Sequence, residues 1–210
     1  MDTLHLKDPV KPAIINQGFG NDPAYYARFK DQFGNPEKGH MGIDFRAAHG
    51  TPVYASCDGQ AYFGRDEHGG EGIYIRTGLL DYNGQPAHFN VIHWHLCGDT
   101  DPHYASPIPL DGNMYPVETG DLIGYADNTG APYESTGDHL HFGLLPLDQY
   151  NTIIDQKNGF NGCIDPMPYF DGSAQDVPRD TSYIASLLKA AWQLLAAKFP
   201  GRVAPPSPSL

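Results

Sequence analysis

The sequence predicts a mainly β protein: a twisted antiparallel sheet domain whose long loops form a substrate groove, followed by one C-terminal α-helix. Three observations predict this. Short apolar runs cut by turn signals follow one another from Ile14 to about Phe170, the pattern of successive strands. Gly 24 and Pro 19 among 210 residues, with 12% aromatic side chains, favour turns and strands over a helical bundle. The period changes only near the end, where Ile184, Leu187, Leu188, Ala191, Leu194 and Leu195 recur at helical spacing.

Taken in order, residues 1–12 form an N-terminal lead, and residues 13–171 carry the domain. Its strands are expected within INQGFG, TPVYASCDGQAYFG, EGIYIRTG, NVIHWHL, DLIGYADNTG and DHLHFGLL. Long loops are expected at 23–39, 79–89 and 97–115, where Gly, Pro, Asn and Asp cluster. Residues 172–182 are polar and make a linker, 183–199 the helix and 200–210 a Pro-rich tail. Thr181 or Ser182 offers an N-cap and Pro200-Gly201 a stop. Lys189, Gln193 and Lys198 interrupt this helix, and it is shorter than the roughly 20 apolar residues of a membrane span. No transmembrane span is therefore expected, and the helix is amphipathic, suited to packing on the domain or on a protein partner.

Lys+Arg 13 against Asp+Glu 25 gives a net charge of −12, which argues against nucleic acid or an anionic membrane as the main partner. Cys57, Cys97 and Cys163 show no Cys-x-x-Cys spacing, so neither a disulfide framework nor a thiolate zinc site is expected. The N-terminus MDTLHLKDPVKP contains no apolar run of the secretory kind.

The chemistry is carried by histidines. In GDHLHFG (137–143), Leu140 and Phe142 alternate with His139 and His141, so a strand would set both imidazoles on one face. In GHMGIDF (39–45), His40, Gly42 and Asp44 would share a face, the missing side chain at 42 leaving space between imidazole and carboxylate. NVIHWHL repeats the pattern, with Val91, His93 and His95 expected on one face and Ile92, Trp94 and Leu96 on the other. One such pair alone would read as surface histidines; two pairs with a His-x-x-x-Asp read as a metal site. Zinc in a catalytic centre takes three protein ligands and keeps a fourth position for water. His40, Asp44 and one of His139 or His141 supply such a set. His5, His49, His68, His88 and His103 lack partner spacing and are expected as exposed loop residues, and Asp127 as a turn residue.

These stretches resemble a family. HMGIDFRAAHGTPVYASCDGQAYFG is similar to the opening motif of the lysostaphin and LytM-type zinc endopeptidases, IHWHL to their Tyr-x-His-Leu segment, VETGDLIGYADNTG to the hairpin that follows and GDHLHFG to the closing strand. INQGFG resembles the first strand and DPMPYF the end of the domain, so the likeness spans roughly residues 13–170. It implies one zinc ion with a bound water, held by His40, Asp44 and His141, with His95 and His139 as the catalytic histidines beside it. It implies hydrolysis of peptide bonds in the stem or cross-bridge peptides of bacterial peptidoglycan, at the cell wall or in the periplasm. Without a visible signal peptide, a phage lytic or virion-associated enzyme or a chain trimmed of its export sequence would fit. The alternative is a non-catalytic, zinc-containing domain of the same fold that binds cell wall or a partner. The related D-alanyl-D-alanine peptidases have a wider His-to-Asp spacing than His40-x-x-x-Asp44. Tyr25 and Tyr26 are candidates for the groove, as is His93, which stands where the family commonly has Tyr.

Overall fold

Alternating apolar side chains build nine of the eleven described strands into one sheet. The computed structural model describes residues 1–172, except 32, 69, 99, 100 and 134, together with the backbone of 175–176. The helix expected at 183–199, the tail at 200–210 and most of the linker at 172–182 lie outside the described residues. In chain order the strands are β1 (Ile14–Gln17), β2 (Ile43–Phe45), β3 (Pro52–Tyr54), β4 (Gly59–Arg65), β5 (Glu71–Arg76), β6 (Leu80–Tyr82), β7 (Gln85–Trp94), β8 (Tyr115–Val117), β9 (Leu122–Tyr125), β10 (Leu140–Asp148) and β11 (Gln175–Asp176). A single turn of helix, α1 (Pro23–Tyr26), lies in the first long loop. Among the described residues no helix is long and apolar enough to cross a membrane.

The main sheet runs β11-β1-β2-β10-β7-β5-β4-β8, with β6 against the start of β7, while β3 and β9 form a separate pair. Its pairings are antiparallel, apart from the short parallel contact of β1 with β11. One face buries Ile43, Phe45, Ile73, Ile75, Val91, Leu140, Phe142 and Leu144 almost completely. Each such side chain stabilises the fold by about 1.5–3 kcal/mol through the apolar area it removes from water. Phe45 and Phe142, on adjacent strands, meet edge to face at 6.0 Å between ring centres. Residues 1–12 join this core: Leu4, Leu6 and Val10 are buried, and the Leu6 N–H donates to the Tyr169 carbonyl at 2.8 Å.

Three expectations need correction. Residues 79–89 are a hairpin rather than a long loop: β6 turns into β7 through Asn83-Gly84, both at positive φ (55° and 80°), the turn that matches the twist of paired strands. The segment expected as a hairpin at 117–130 does not pair with itself. β8 joins β4 in the main sheet and β9 joins β3 in the small one, so the turn between them carries the chain from one sheet to the other.

The third correction concerns β7. Val91 and His93 face the core, and Ile92 and Trp94 face the groove described below. His93 is fully buried, its ring edge-on to Phe142 at 5.1 Å and its Nε2 at 3.3 Å from Ser56 Oγ. It therefore cannot line a substrate groove. His95 leaves the alternation because its backbone is left-handed, with φ 64°, a conformation histidine tolerates better than most residues.

Burial lowers the His93 pKa from its ordinary 6.5 to about 4. The unfolded chain therefore binds a proton that the folded one refuses between those two values, so the stability tied to the neutral ring is complete above the window and falls as pH drops through it. Urea unfolding at pH 7 and pH 4 should show wild type losing about 3 kcal/mol more than His93→Phe. Equal losses would mean that the ring escapes burial.

Candidate active site

Strand β10 lies between β2 and β7, and its register sets His141 opposite Asp44 on one side and Trp94 on the other. Leu140 and Phe142 point into the core, so pleating turns His141 to the groove face. His40 approaches from the segment before β2. Its N–H donates to the Asn21 carbonyl at 3.0 Å, and its carbonyl accepts from Gly20 N–H at 2.8 Å.

Three donor atoms converge there. His40 Nε2 lies 2.9 Å from His141 Nδ1 and 3.2 Å from Asp44 Oδ1, and His141 Nδ1 lies 3.1 Å from the same oxygen. A hydrogen bond points along one line and cannot close a triangle, whereas the edges of a tetrahedral zinc site, with ligands at about 2.0–2.1 Å, are about 3.3 Å long. The His40 Nδ1–H donates to the Gly18 carbonyl at 3.3 Å, which leaves Nε2 with its lone pair for the metal. Burial lowers the His141 pKa, keeping that ring neutral. Burial alone would raise the Asp44 carboxyl, but the His141 and His40 rings outweigh it and hold the group well below the ordinary carboxylate range. Two neutral imidazoles and one carboxylate form a donor set that fits Zn2+.

Gly42 makes room for this arrangement, though not between His40 and Asp44 as its spacing suggests. A Cβ there would stand 2.5 Å from the Phe142 carbonyl oxygen and 2.7 Å from His141 Cε1. The space belongs to the His141 ring, contributed from a strand a hundred residues away.

His95 and His139 stand beside the triangle, their ring centres 4.7 Å apart and His95 6.0 Å from His141. The His95 Nδ1–H donates to the Thr129 carbonyl at 2.7 Å, and that of His139 to the Gly137 carbonyl at 2.7 Å. In both rings Nε2 is left for chemistry, and that of His139 lies 3.6 Å from Asp44 Oδ1. Burial first, then the neighbouring His141 and His139, lowers the His95 pKa to about 3, so this ring is neutral at neutral pH.

The site opens into a groove of about 870 Å³. Tyr25 and Tyr26 line it from α1. Tyr26 holds its ring 5.6 Å from that of His40 and accepts from Gln17 Nε2 at 3.3 Å. Burial, then the Asp44 charge, raises its pKa, so the phenol keeps its proton. Tyr25 is exposed, with the Arg28 guanidinium 3.7 Å above its ring. Sequence reasoning missed Ile92, Trp94 and Tyr133 as lining residues. For the first two the missing signal was the parity of β7, and Tyr133 sits in a loop without periodicity.

No family model matches the chain. Over 133 residues it is 33% identical to a protein of Neisseria meningitidis serogroup B named DD-carboxypeptidase/endopeptidase Mpg, covering 60% of this chain and 26% of that protein. The same figures hold for the protein of that name in Neisseria gonorrhoeae. The chain thus spans about a quarter of the length of these curated relatives. Among solved structures it is similar to Helicobacter pylori Csd3, with 20% identity and a TM-score of 0.47 over 96% of this chain and 45% of that one. A zinc containing peptidase from Vibrio cholerae gives 22% identity and a TM-score of 0.47 over 84% of this chain and 41% of that one. The His40, Asp44 and His141 cluster falls where the chain's resemblance to the LytM and lysostaphin-type peptidases puts a metal.

Gly42→Ala should lose zinc to below one tenth of an equivalent per chain by elemental analysis, because the added methyl displaces the His141 ring or the Phe142 backbone. Full zinc retention would show that the His141 ring can shift without leaving the site.

Proposed function

We propose that this chain, a relative of the LytM and lysostaphin-type peptidases, is a zinc-dependent endopeptidase that hydrolyses DD-type peptide bonds in the cross-linked stem peptides of bacterial peptidoglycan. The observation that carries this reading is the triangle of His40, Asp44 and His141 donors facing a groove, with two more histidines beside it. The bond type follows the name of the Neisseria relatives. Those relatives are bacterial, and they lend no support to a phage lytic role; we place the activity in the bacterial cell envelope.

His40, Asp44 and His141 would hold a zinc ion, which would supply a Lewis acid for the scissile carbonyl and make a water molecule more acidic. His95 is the general base. Its Nδ1–H is committed to the Thr129 carbonyl, its ring is neutral, and its Nε2 accepts the proton of the attacking water and returns it to the leaving amine. His139 is held in the same way by Gly137, and when it carries a proton on both ring nitrogens its Nε2–H donates to the oxyanion that develops on the substrate. Tyr26, protonated and beside His40, offers a second donor to that oxygen. Tyr25, exposed on the groove rim, contacts the peptide further out.

Incubation with sacculi that carry direct cross-links, and with sacculi that carry glycine bridges, should release new amines only from the first. A chelator should abolish the release and added zinc restore it. His95→Ala should keep its zinc and lose roughly 10²–10⁴-fold in rate, whereas Asp44→Asn should lose both metal and rate. Zinc-loaded protein that cleaves neither wall would overturn the reading and favour a binding role. Near wild-type hydrolysis by zinc-loaded His95→Ala would refute the base assignment alone.

A further inference from the structure

We propose that His49, Cys97 and Asp127 form a second site for a zinc-like divalent metal, which braces the backbone carrying His95 and His139. His49 follows β2, Cys97 follows β7 and Asp127 follows β9, and their donor atoms all lie within 4.8 Å of one another. His49 Nδ1 is 2.9 Å from Asp127 Oδ1 and 4.0 Å from Cys97 Sγ. None of these residues belongs to the His40, Asp44 and His141 triangle.

The chemistry of the cluster selects the ion. One thiol, one imidazole and one carboxylate make a mixed sulfur, nitrogen and oxygen donor set, which suits zinc and disfavours magnesium and calcium, whose sites are built from oxygen. The other ring nitrogen of His49 donates to Asp101 Oδ2 at 3.3 Å. A metal-bound histidine anchored by an outer carboxylate is the arrangement that fixes both tautomer and ring angle. Cys97 is buried at the floor of the cluster, and the His49 side chain is 40% exposed at its mouth, which gives an ion a route in and leaves a fourth position to water. On binding, the Cys97 thiol proton and the proton on His49 Nδ1 pass to solvent, and sulfur–metal and nitrogen–metal bonds form.

The position of Asp127 gives the site its consequence. Its N–H donates to the His95 carbonyl at 2.8 Å, and its carbonyl accepts from the His139 N–H at 3.3 Å. An ion that fixes the Asp127 side chain therefore fixes the residue to which both histidines are tied. Cys97, two residues after His95 in the sequence, holds the same segment from the other side. The second metal acts as a positioning element and touches no substrate.

Cobalt(II) titration of the full chain tests this, because the His40, Asp44 and His141 site offers no sulfur. Wild type should bind two equivalents and develop a near-ultraviolet sulfur-to-cobalt charge-transfer band. The band should persist in Asp44→Asn, Cys57→Ser and Cys163→Ser, and vanish in Cys97→Ser and His49→Gln, which should keep one equivalent. Cys97→Ser should also lower kcat several-fold with KM unchanged. A wild-type chain that binds one equivalent without the sulfur band overturns the site, whatever the variants do. So does a band that survives in Cys97→Ser. Neither outcome touches the proposed hydrolysis, which is measured on sacculi.

Discussion

The register of β10 between β2 and β7 is the constraint on which the rest of the molecule depends. It sets His141 opposite Asp44 and, in the next step of the pleat, Phe142 opposite Ile43 and His93. A slip of one residue would turn the buried Leu140, Phe142 and Leu144 toward water and carry His141 into the core. At about 1.5–3 kcal/mol for each large apolar side chain, such a slip costs a large part of the stability of an ordinary domain. Apolar burial thus sets the geometry of the His40, Asp44 and His141 cluster: it is positioned by side chains that never approach it.

A second level of order comes from main-chain carbonyls. Gly18, Thr129 and Gly137 each accept from the Nδ1–H of one histidine: His40, His95 and His139. A carbonyl can only accept, so each contact fixes one tautomer and frees Nε2 for metal or proton transfer. Two connections, the one after β1 and the one between β9 and β10, therefore converge on one electronic arrangement. His141 differs, presenting Nδ1 to the site while its Cε1 and Nε2 pack against Gly42.

The site was legible where strand periodicity runs unbroken. In DHLHFG the alternation continues into β10, so placing His141 opposite the core residues followed directly from sequence. In NVIHWHL the same reasoning failed for His93, because the left-handed residue at the end of the motif reverses which histidine faces the groove. Periodicity assumes a continuous pleat and carries no mark of where it stops. Asn83-Gly84 does carry such a mark, a known turn signal set among neighbouring polar residues. His49 and Asp127 carry only loop and turn signals in the sequence. They lie 2.9 Å apart across 78 positions of chain, a proximity created by the pairing of β3 with β9 and its continuation through Gly50, Thr51 and Ala126, which no local pattern encodes.

The left-handed backbone at His95 gives that position two independent filters. Side chains branched at Cβ strain against such a conformation by roughly 1–2 kcal/mol, so valine or isoleucine would distort the strand end before any chemistry is considered. Asparagine and glycine accept the conformation but bring no basic ring nitrogen. Tolerance at residue 95 therefore divides into substitutions the chain can adopt and substitutions the proposed reaction can use, and histidine belongs to both groups.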